Sequence, residues 1–214
     1  MKKIDQIQYL KETGLVAVIR QPDENKLEEI AKALIAGGTS ALEVTVDSLG
    51  SIDMIRMLHE KYGDKVLVGA GTVLDGVTAK SAIQAGADFI FSPNFDKETI
   101  EITNSYGKIS IPGALTPTEI LNAYRAGADI IKVFPANAVA SNYIKDLQGP
   151  LGHIPMMPTG GVTIENTAQL IKSGAVAVGA GGSLLDKDAI DNENYAKLTE
   201  NANRFITEIR KAKE

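Results

Sequence analysis

Four times along this chain a helical pattern ends in a small-residue hinge that leads straight into an apolar run. The hinges are Ala36-Gly37-Gly38, Ala85-Gly86-Ala87-Asp88, Ala126-Gly127-Ala128-Asp129 and Ser173-Gly174-Ala175. Glycine just past a helix end takes the left-handed conformation without a Cβ penalty, and small flanking residues let the chain turn at once into a strand. A chain that repeats this joint alternates helix and strand, the pattern of a parallel sheet covered by helices.

The apolar runs lack polar alternation, as parallel strands covered on both faces do. Eight are placed, near Leu15 to Ile19, Ala41 to Val46, Val66 to Ala70, Phe89 to Ser92, Ile109 to Pro112, Ile130 to Phe134, Pro155 to Pro158 and Ala175 to Val178. Amphipathic segments lie between them at Glu24 to Ala36, Ile52 to Tyr62, Thr78 to Ala85, Lys97 to Tyr106, Pro117 to Ala126 and Ile164 to Lys172. Asp75, Asp96, Thr116 and Thr163 stand where helices should start. The stretch after the sixth strand has no clear period, and Asn192 to Glu214 reads as a closing helix with a charged outer face. Roughly 27 residues per unit suits a TIM (β/α)8 barrel, here with an additional N-terminal helix. A doubly wound open sheet is the alternative, since strand count alone does not prove closure. In a barrel, function sits at the C-terminal strand ends and the loops after them.

Composition narrows the chemistry. A chain of 214 residues with 44% hydrophobic content can bury one substantial core, so a single domain over 1–214 is expected. With 27 acidic and 22 basic residues the net charge is -5, and no long-range field draws in nucleic acid or an acidic membrane surface. A small molecule is the expected partner. Cysteine is absent and His59 and His153 are the only histidines, which excludes a disulfide framework and a thiolate or histidine-rich metal site. Chemistry without metal or cofactor is therefore expected. Asp5, Gln6, Gln8, Lys11 and Glu12 interrupt any apolar signal core after the basic start, and every apolar run is too short to span a membrane, so a cytoplasmic location is expected.

Two ionisable residues stand inside apolar strands. Lys132 lies in Asp129-Ile130-Ile131-Lys132-Val133-Phe134-Pro135, and alternation puts Ile130, Lys132 and Phe134 on one face. If that face looks into a barrel, desolvation lowers the lysine pKa, the condition an amine needs to attack a carbonyl near neutral pH. The alternatives are a strand-end lysine reaching to solvent and one that only binds phosphate. Glu43 lies in Ala41-Leu42-Glu43-Val44-Thr45-Val46, on one face with Thr45. A buried carboxylate needs a partner, so Glu43 is read either as an ion pair with Lys132 or Arg20 or as the proton shuttle that Schiff-base chemistry requires.

Pro158-Thr159-Gly160-Gly161-Val162 follows the seventh predicted strand, and Gly179-Ala180-Gly181-Gly182-Ser183-Leu184 follows the eighth. Adjacent glycines bring backbone N–H groups close to an anion, and these two loops commonly form the phosphate site of a barrel. Plain tight turns are the other reading. No Gly-Lys-Ser/Thr follows either loop, so a P-loop nucleotide site is not indicated.

The segments Leu42-Glu43-Val44-Thr45, Val68-Gly69-Ala70-Gly71-Thr72-Val73, Ser92-Pro93, Pro112-Gly113, Lys132-Val133-Phe134-Pro135-Ala136 and Pro158-Thr159-Gly160-Gly161 occur in this order over nearly the whole chain. Together they resemble the 2-keto-3-deoxy-6-phosphogluconate (KDPG) / 4-hydroxy-2-oxoglutarate (KHG) aldolases. The resemblance implies a class I, Schiff-base aldolase, a cytoplasmic homotrimer that releases pyruvate and glyceraldehyde 3-phosphate. It makes Lys132 the Schiff-base lysine and Glu43 the acid/base, with Thr72, Pro93 and Phe134 lining the pocket. Thr159, Gly160, Gly161, Gly181, Gly182 and Ser183 would hold the phosphate.

The chain departs from the pattern at one place. Some members carry an arginine a few residues beyond the strand-two glutamate to hold the substrate carboxylate, whereas this sequence reads Thr45-Val46-Asp47-Ser48. Arg20, after the first strand, is the expected replacement, because a planar guanidinium forms two hydrogen bonds with a carboxylate; a surface ion pair is its other reading. The rival functions are a phosphate-binding barrel isomerase or synthase in which Lys132 is only electrostatic, and a silent binding module. An aldolase for the 2-keto-3-deoxy-6-phosphogalactonate epimer is a third.

Overall fold

The runs Leu15–Ile19 (β1), Ala41–Thr45 (β2) and Leu67–Gly71 (β3) are buried at every position. Strands with covering on both faces need no polar alternation, which is why these sequences, Glu43 and Thr45 apart, are apolar or small. The computed structural model describes residues 1–47 and 49–214; Ser48, the last residue of the Thr45-Val46-Asp47-Ser48 stretch, lies outside the described residues. The remaining strands are Phe89–Phe91 (β4), Ile109–Ile111 (β5), Gly113–Ala114 (β6), Ile131–Val133 (β7), Met156–Pro158 (β8) and Val178–Ala180 (β9).

All strand pairings among the described residues are parallel, in the orders β5-β4-β3-β2-β1-β9 and β6-β7-β8. Hydrogen bonds link the two groups on both sides. The Asp129 and Lys132 N–H groups donate to the Ser110 and Pro112 carbonyls at 3.0 and 2.9 Å, and Thr159 forms a parallel bridge with Gly179. The result is an α/β fold with a curled parallel sheet. The fifth predicted strand stops at Ile111, and β6 resumes beyond Pro112, because proline has no N–H to give to a ladder.

Helices Lys3–Thr13 (α1), Glu24–Ala36 (α2), Ser51–Tyr62 (α3), Gly76–Gln84 (α4), Lys97–Ser105 (α5), Pro117–Arg125 (α6), Tyr143–Leu151 (α7), Ile164–Lys172 (α8), Lys187–Asp191 (α9) and Tyr195–Lys213 (α10) complete the chain. The helix starts follow capping chemistry. Asp75 and Asp96 accept from the N–H groups of Thr78 and Thr99, Thr116 forms a capping box with Glu119, and Asn166 accepts from the Thr163 N–H. At the helix ends, Gly38, Gly86, Gly127 and Gly174 have φ of 92°, 105°, 98° and 103°, the left-handed geometry the hinges predict. The stretch of unclear period holds α7, whose pattern is masked by Pro150 in its last turn. The closing segment from Asn192 holds one helix, α10, which packs against α2 and α8; the short α9 precedes it.

The core is two clusters. The larger lies between strands and helices, with Leu27, Leu34, Leu58 and Phe205 fully buried; the smaller lies inside the curl and includes Val16, Ala41, Phe89, Phe91, Ile130 and Met157. Leu10 of α1 belongs to the inner cluster, so the N-terminal helix covers the end of the curl where the strands begin. Asp88 anchors it there: its buried carboxylate accepts from Gln6 Nε2 at 3.0 Å, Lys108 Nζ at 3.3 Å and the Val68 N–H at 3.2 Å. Lys3 also pairs with Asp129 at 2.8 Å. No helix among the described residues is long and apolar enough to cross a membrane.

Candidate active site

Alternation along β2 carries the face of Ala41 to Glu43 and Thr45, and along β7 the face of Ile130 to Lys132 and Phe134. Ala41 and Ile130 are both in the inner cluster, so Glu43 and Lys132 point into the curl. Each is nearly sealed from solvent, Glu43 at 1% and Lys132 at 5% relative exposure. Lys132 Nζ lies over two aromatic rings, 4.0 Å from the centroid of Phe91 and 4.5 Å from that of Phe134.

Burial sets the ionisation of both groups. It lowers the Lys132 pKa to about 8, against the Glu43 charge, which raises it, and with the Arg20 charge, which lowers it further. It pushes Glu43 up to about 7, opposed by Lys132 and Arg20 and reinforced by Asp47. Each charge therefore shifts the other's titration, and the two titrate as a pair. Of the two readings of Glu43, the ion pair with Lys132 or Arg20 is not made as a direct contact among the described residues. Glu43 Oε2 has no hydrogen-bond partner among the described residues, and Arg20 pairs with Asp47 instead, at 3.6 Å. A half-exposed guanidinium keeps its hydration beside Asp47, whereas reaching Glu43 would strip it.

Glycines make room for these side chains. A β-carbon at Gly71 would fall inside the Glu43 carboxylate, one at Gly69 would meet the Phe89 ring, and one at Gly179 would crowd Thr159. Thr72, immediately after β3, holds φ of 57°, an uncommon conformation for a β-branched residue. Pro93 follows β4, and its backbone carbonyl occupies the place where a Gly113 side chain would start.

A cavity of about 280 Å³ opens at the C-terminal ends of β1, β7, β8 and β9. It gathers Lys132, Phe134, Arg20, Thr159, Gly160, Gly161, Gly181, Gly182 and Ser183. Glu43, Thr72 and Pro93 stand on the adjoining ends of β2, β3 and β4 and do not line it. Gly160 and Gly161 have φ of 89° and 70°, and Ser183 Oγ donates to the Val162 carbonyl at 2.6 Å, tying the two glycine loops together. Thr159 Oγ1 is buried with no hydrogen-bond partner among the described residues. No group of three or more His, Asp or Glu side chains fit to hold a metal ion occurs among them.

Phe91 is the neighbour that sequence reasoning misses. Phe89-Ile90-Phe91 signals two rings on one face, but only the register across β4, β5 and β7 brings the second ring to Lys132.

Known proteins resemble this chain over most of its length. The profile of the KDPG and KHG aldolase family matches residues 6–201. A 2-dehydro-3-deoxy-6-phosphogalactonate aldolase of Escherichia coli (strain K12) is 34% identical over 96% of this chain and 99% of its own. A 2-dehydro-3-deoxy-phosphogluconate aldolase of Pseudomonas aeruginosa is 33% identical over 88% and 86%. Among solved structures, a KDPG aldolase from Legionella pneumophila, with pyruvate captured as a covalent carbinolamine intermediate, superposes with a TM-score of 0.85. It is 27% identical and covers 92% of this chain and 97% of that one. The chain belongs to the KDPG and KHG aldolase family.

Proposed function

We propose that this chain is a class I aldolase that cleaves KDPG to pyruvate and glyceraldehyde 3-phosphate, and 4-hydroxy-2-oxoglutarate to pyruvate and glyoxylate, through a Schiff base on Lys132. The observation that carries this reading is the Lys132 amine, buried against two rings, its pKa lowered to about 8 by desolvation, and opening onto a cavity floored by two glycine loops.

The neutral amine attacks C2 of the 2-keto acid, and Glu43 gives the carbinolamine oxygen the proton it needs to leave as water. The iminium then takes the electron pair of the C3–C4 bond while Glu43 removes the proton from the C4 hydroxyl. The aldehyde departs, and reprotonation and hydrolysis of the enamine return pyruvate and free Lys132. Glu43 suits a carrier that both gives and takes protons, because its pKa of about 7 lies near the working pH. Phe134 lines the reacting end of the substrate from the cavity, and Thr72 and Pro93 approach it from the adjoining strand ends. Thr159, Gly160, Gly161, Gly181, Gly182 and Ser183 hold its phosphate through backbone N–H and hydroxyl donors. Arg20 turns from Asp47 to pair with the pyruvyl carboxylate.

The reading extends to a single closed (β/α)8 barrel over 1–214, supported by the hydrogen bonds at both junctions of the curled sheet, and to a cytoplasmic homotrimer, supported by family membership. A second reading, cleavage of the phosphogalactonate epimer, is favoured by the 34% identity to the Escherichia coli enzyme over nearly both full lengths. Initial rates of pyruvate release from each C4 epimer and from 4-hydroxy-2-oxoglutarate test the assignment. A higher kcat/KM for KDPG than for its epimer supports the first reading, the reverse order the second, and no pyruvate from any of them refutes both.

A further inference from the structure

The nitrogen of Lys132 is a cation twice, as the ammonium of the resting enzyme, which must lose its proton before attack, and then as the iminium. The mechanism has no use for Phe91, although this side chain is fully buried and its ring centroid is 4.0 Å from Nζ, nearer than that of Phe134. An aromatic ring presents negative electrostatic potential from its face, so a cation over it is stabilised and a neutral amine is not. The effect is largest where water is excluded, as it is at a side chain with 5% exposure.

We infer that Phe91 is a positioning residue for the Schiff-base reaction: its ring holds the Lys132 nitrogen at the inner wall of the site and stabilises the iminium formed there. The inference rests on the Schiff-base reading. In the step concerned, the neutral amine adds to the keto carbon, a proton joins the departing oxygen, water leaves, and the nitrogen keeps the positive charge. Amine, ketone and one proton thus give iminium and water. A ring beneath the nitrogen draws this equilibrium toward the adduct, and in the resting enzyme it opposes part of the desolvation that favours the neutral amine. Glu43 and Arg20 are the charged groups that act on Lys132, and a change confined to the Phe91 ring leaves both in place.

Site-specific replacement of Phe91 by mono-, di- and trifluorophenylalanine weakens the ring's negative face in steps while keeping its size. Two quantities are read across the series by borohydride trapping with pyruvate: the pH midpoint of adduct formation, and the pyruvate concentration giving half-maximal trapping at pH 9, where the amine is neutral. The midpoint is expected to fall by about half to one pH unit by the trifluoro variant, and half-saturation at pH 9 to rise about 3- to 10-fold. Both quantities unchanged across the series, with trapping in the wild type, would overturn the role of Phe91 and leave the Schiff base standing. No trapping in the wild type would instead overturn the Schiff-base reading itself.

Discussion

The Glu43 carboxylate occupies the space into which a side chain on Gly71 would grow. Glu43 pairs in register with Gly69, two residues before Gly71 on β3, and bends over the bare backbone to its C-terminal end. A glycine on one strand thus aims a carboxylate on the next toward the C-terminal mouth of the sheet.

Gly71→Ala is therefore expected to move Glu43 rather than to unfold the sheet. The predicted result is a kcat reduced at least about tenfold, equivalent to about 1.4 kcal/mol of transition-state stabilisation, with a smaller change in KM. Steady-state kinetics on a variant of wild-type thermal stability checks this. An unaltered kcat would mean that the carboxylate position is immaterial.

Replacing Glu43 by Gln removes the proton carrier and keeps the shape. A general acid–base group contributes about 10²- to 10⁴-fold, so kcat should fall within that range. In the wild type, adduct formation with pyruvate should rise with pH and level off above about 8, because burial lowers the Lys132 pKa to that value. The Glu43 charge raises this pKa, so in Glu43→Gln the midpoint should move to lower pH. Adduct formation measured by rapid quench from pH 6 to 10 gives both results, and an upward shift in the variant would contradict the coupling.

What the sequence made legible is what local chemistry decides. The hinges end helices because glycine adopts positive φ; Asp75, Asp96 and Thr116 mark helix starts because their side chains reach backbone N–H groups, and Thr163 marks one where Asn166 accepts from its N–H. Lys132 and Glu43 were visible because an ionisable residue in an apolar run is costly without a purpose. Long-range register was not visible. The last strand lies at Val178–Ala180 rather than Ala175 to Val178, since pairing of Val178 with Leu15, not its own composition, fixes its place. The approach of Phe91 to Lys132 and the pairing of Arg20 with Asp47 are likewise decided by residues distant in sequence.

Arg20 is held 3.6 Å from Asp47 at the mouth of the cavity. Arg20→Ala should raise KM for pyruvate in the condensation direction about tenfold or more, with kcat less affected. Asp47→Asn should lower it, because the guanidinium no longer has a competing carboxylate. A KM for pyruvate unchanged in Arg20→Ala removes Arg20 from the site.

Asp88 supports the fold far from the reaction. Asp88→Ala leaves the Val68 N–H, Gln6 and Lys108 without their acceptor, at an expected cost of about 2–4 kcal/mol. Urea denaturation should show this as a lower midpoint. Trapping of pyruvate by the folded variant should remain at the wild-type level.

The most direct test of the central claim is intact mass after incubation with pyruvate and borohydride, on wild type and on Lys132→Ala. Reduction fixes only a Schiff base. The account predicts a single reduced pyruvyl adduct on the wild type and none on Lys132→Ala. An adduct of equal yield on both proteins, or none on well-folded wild type, would contradict it and leave Lys132 an electrostatic role alone.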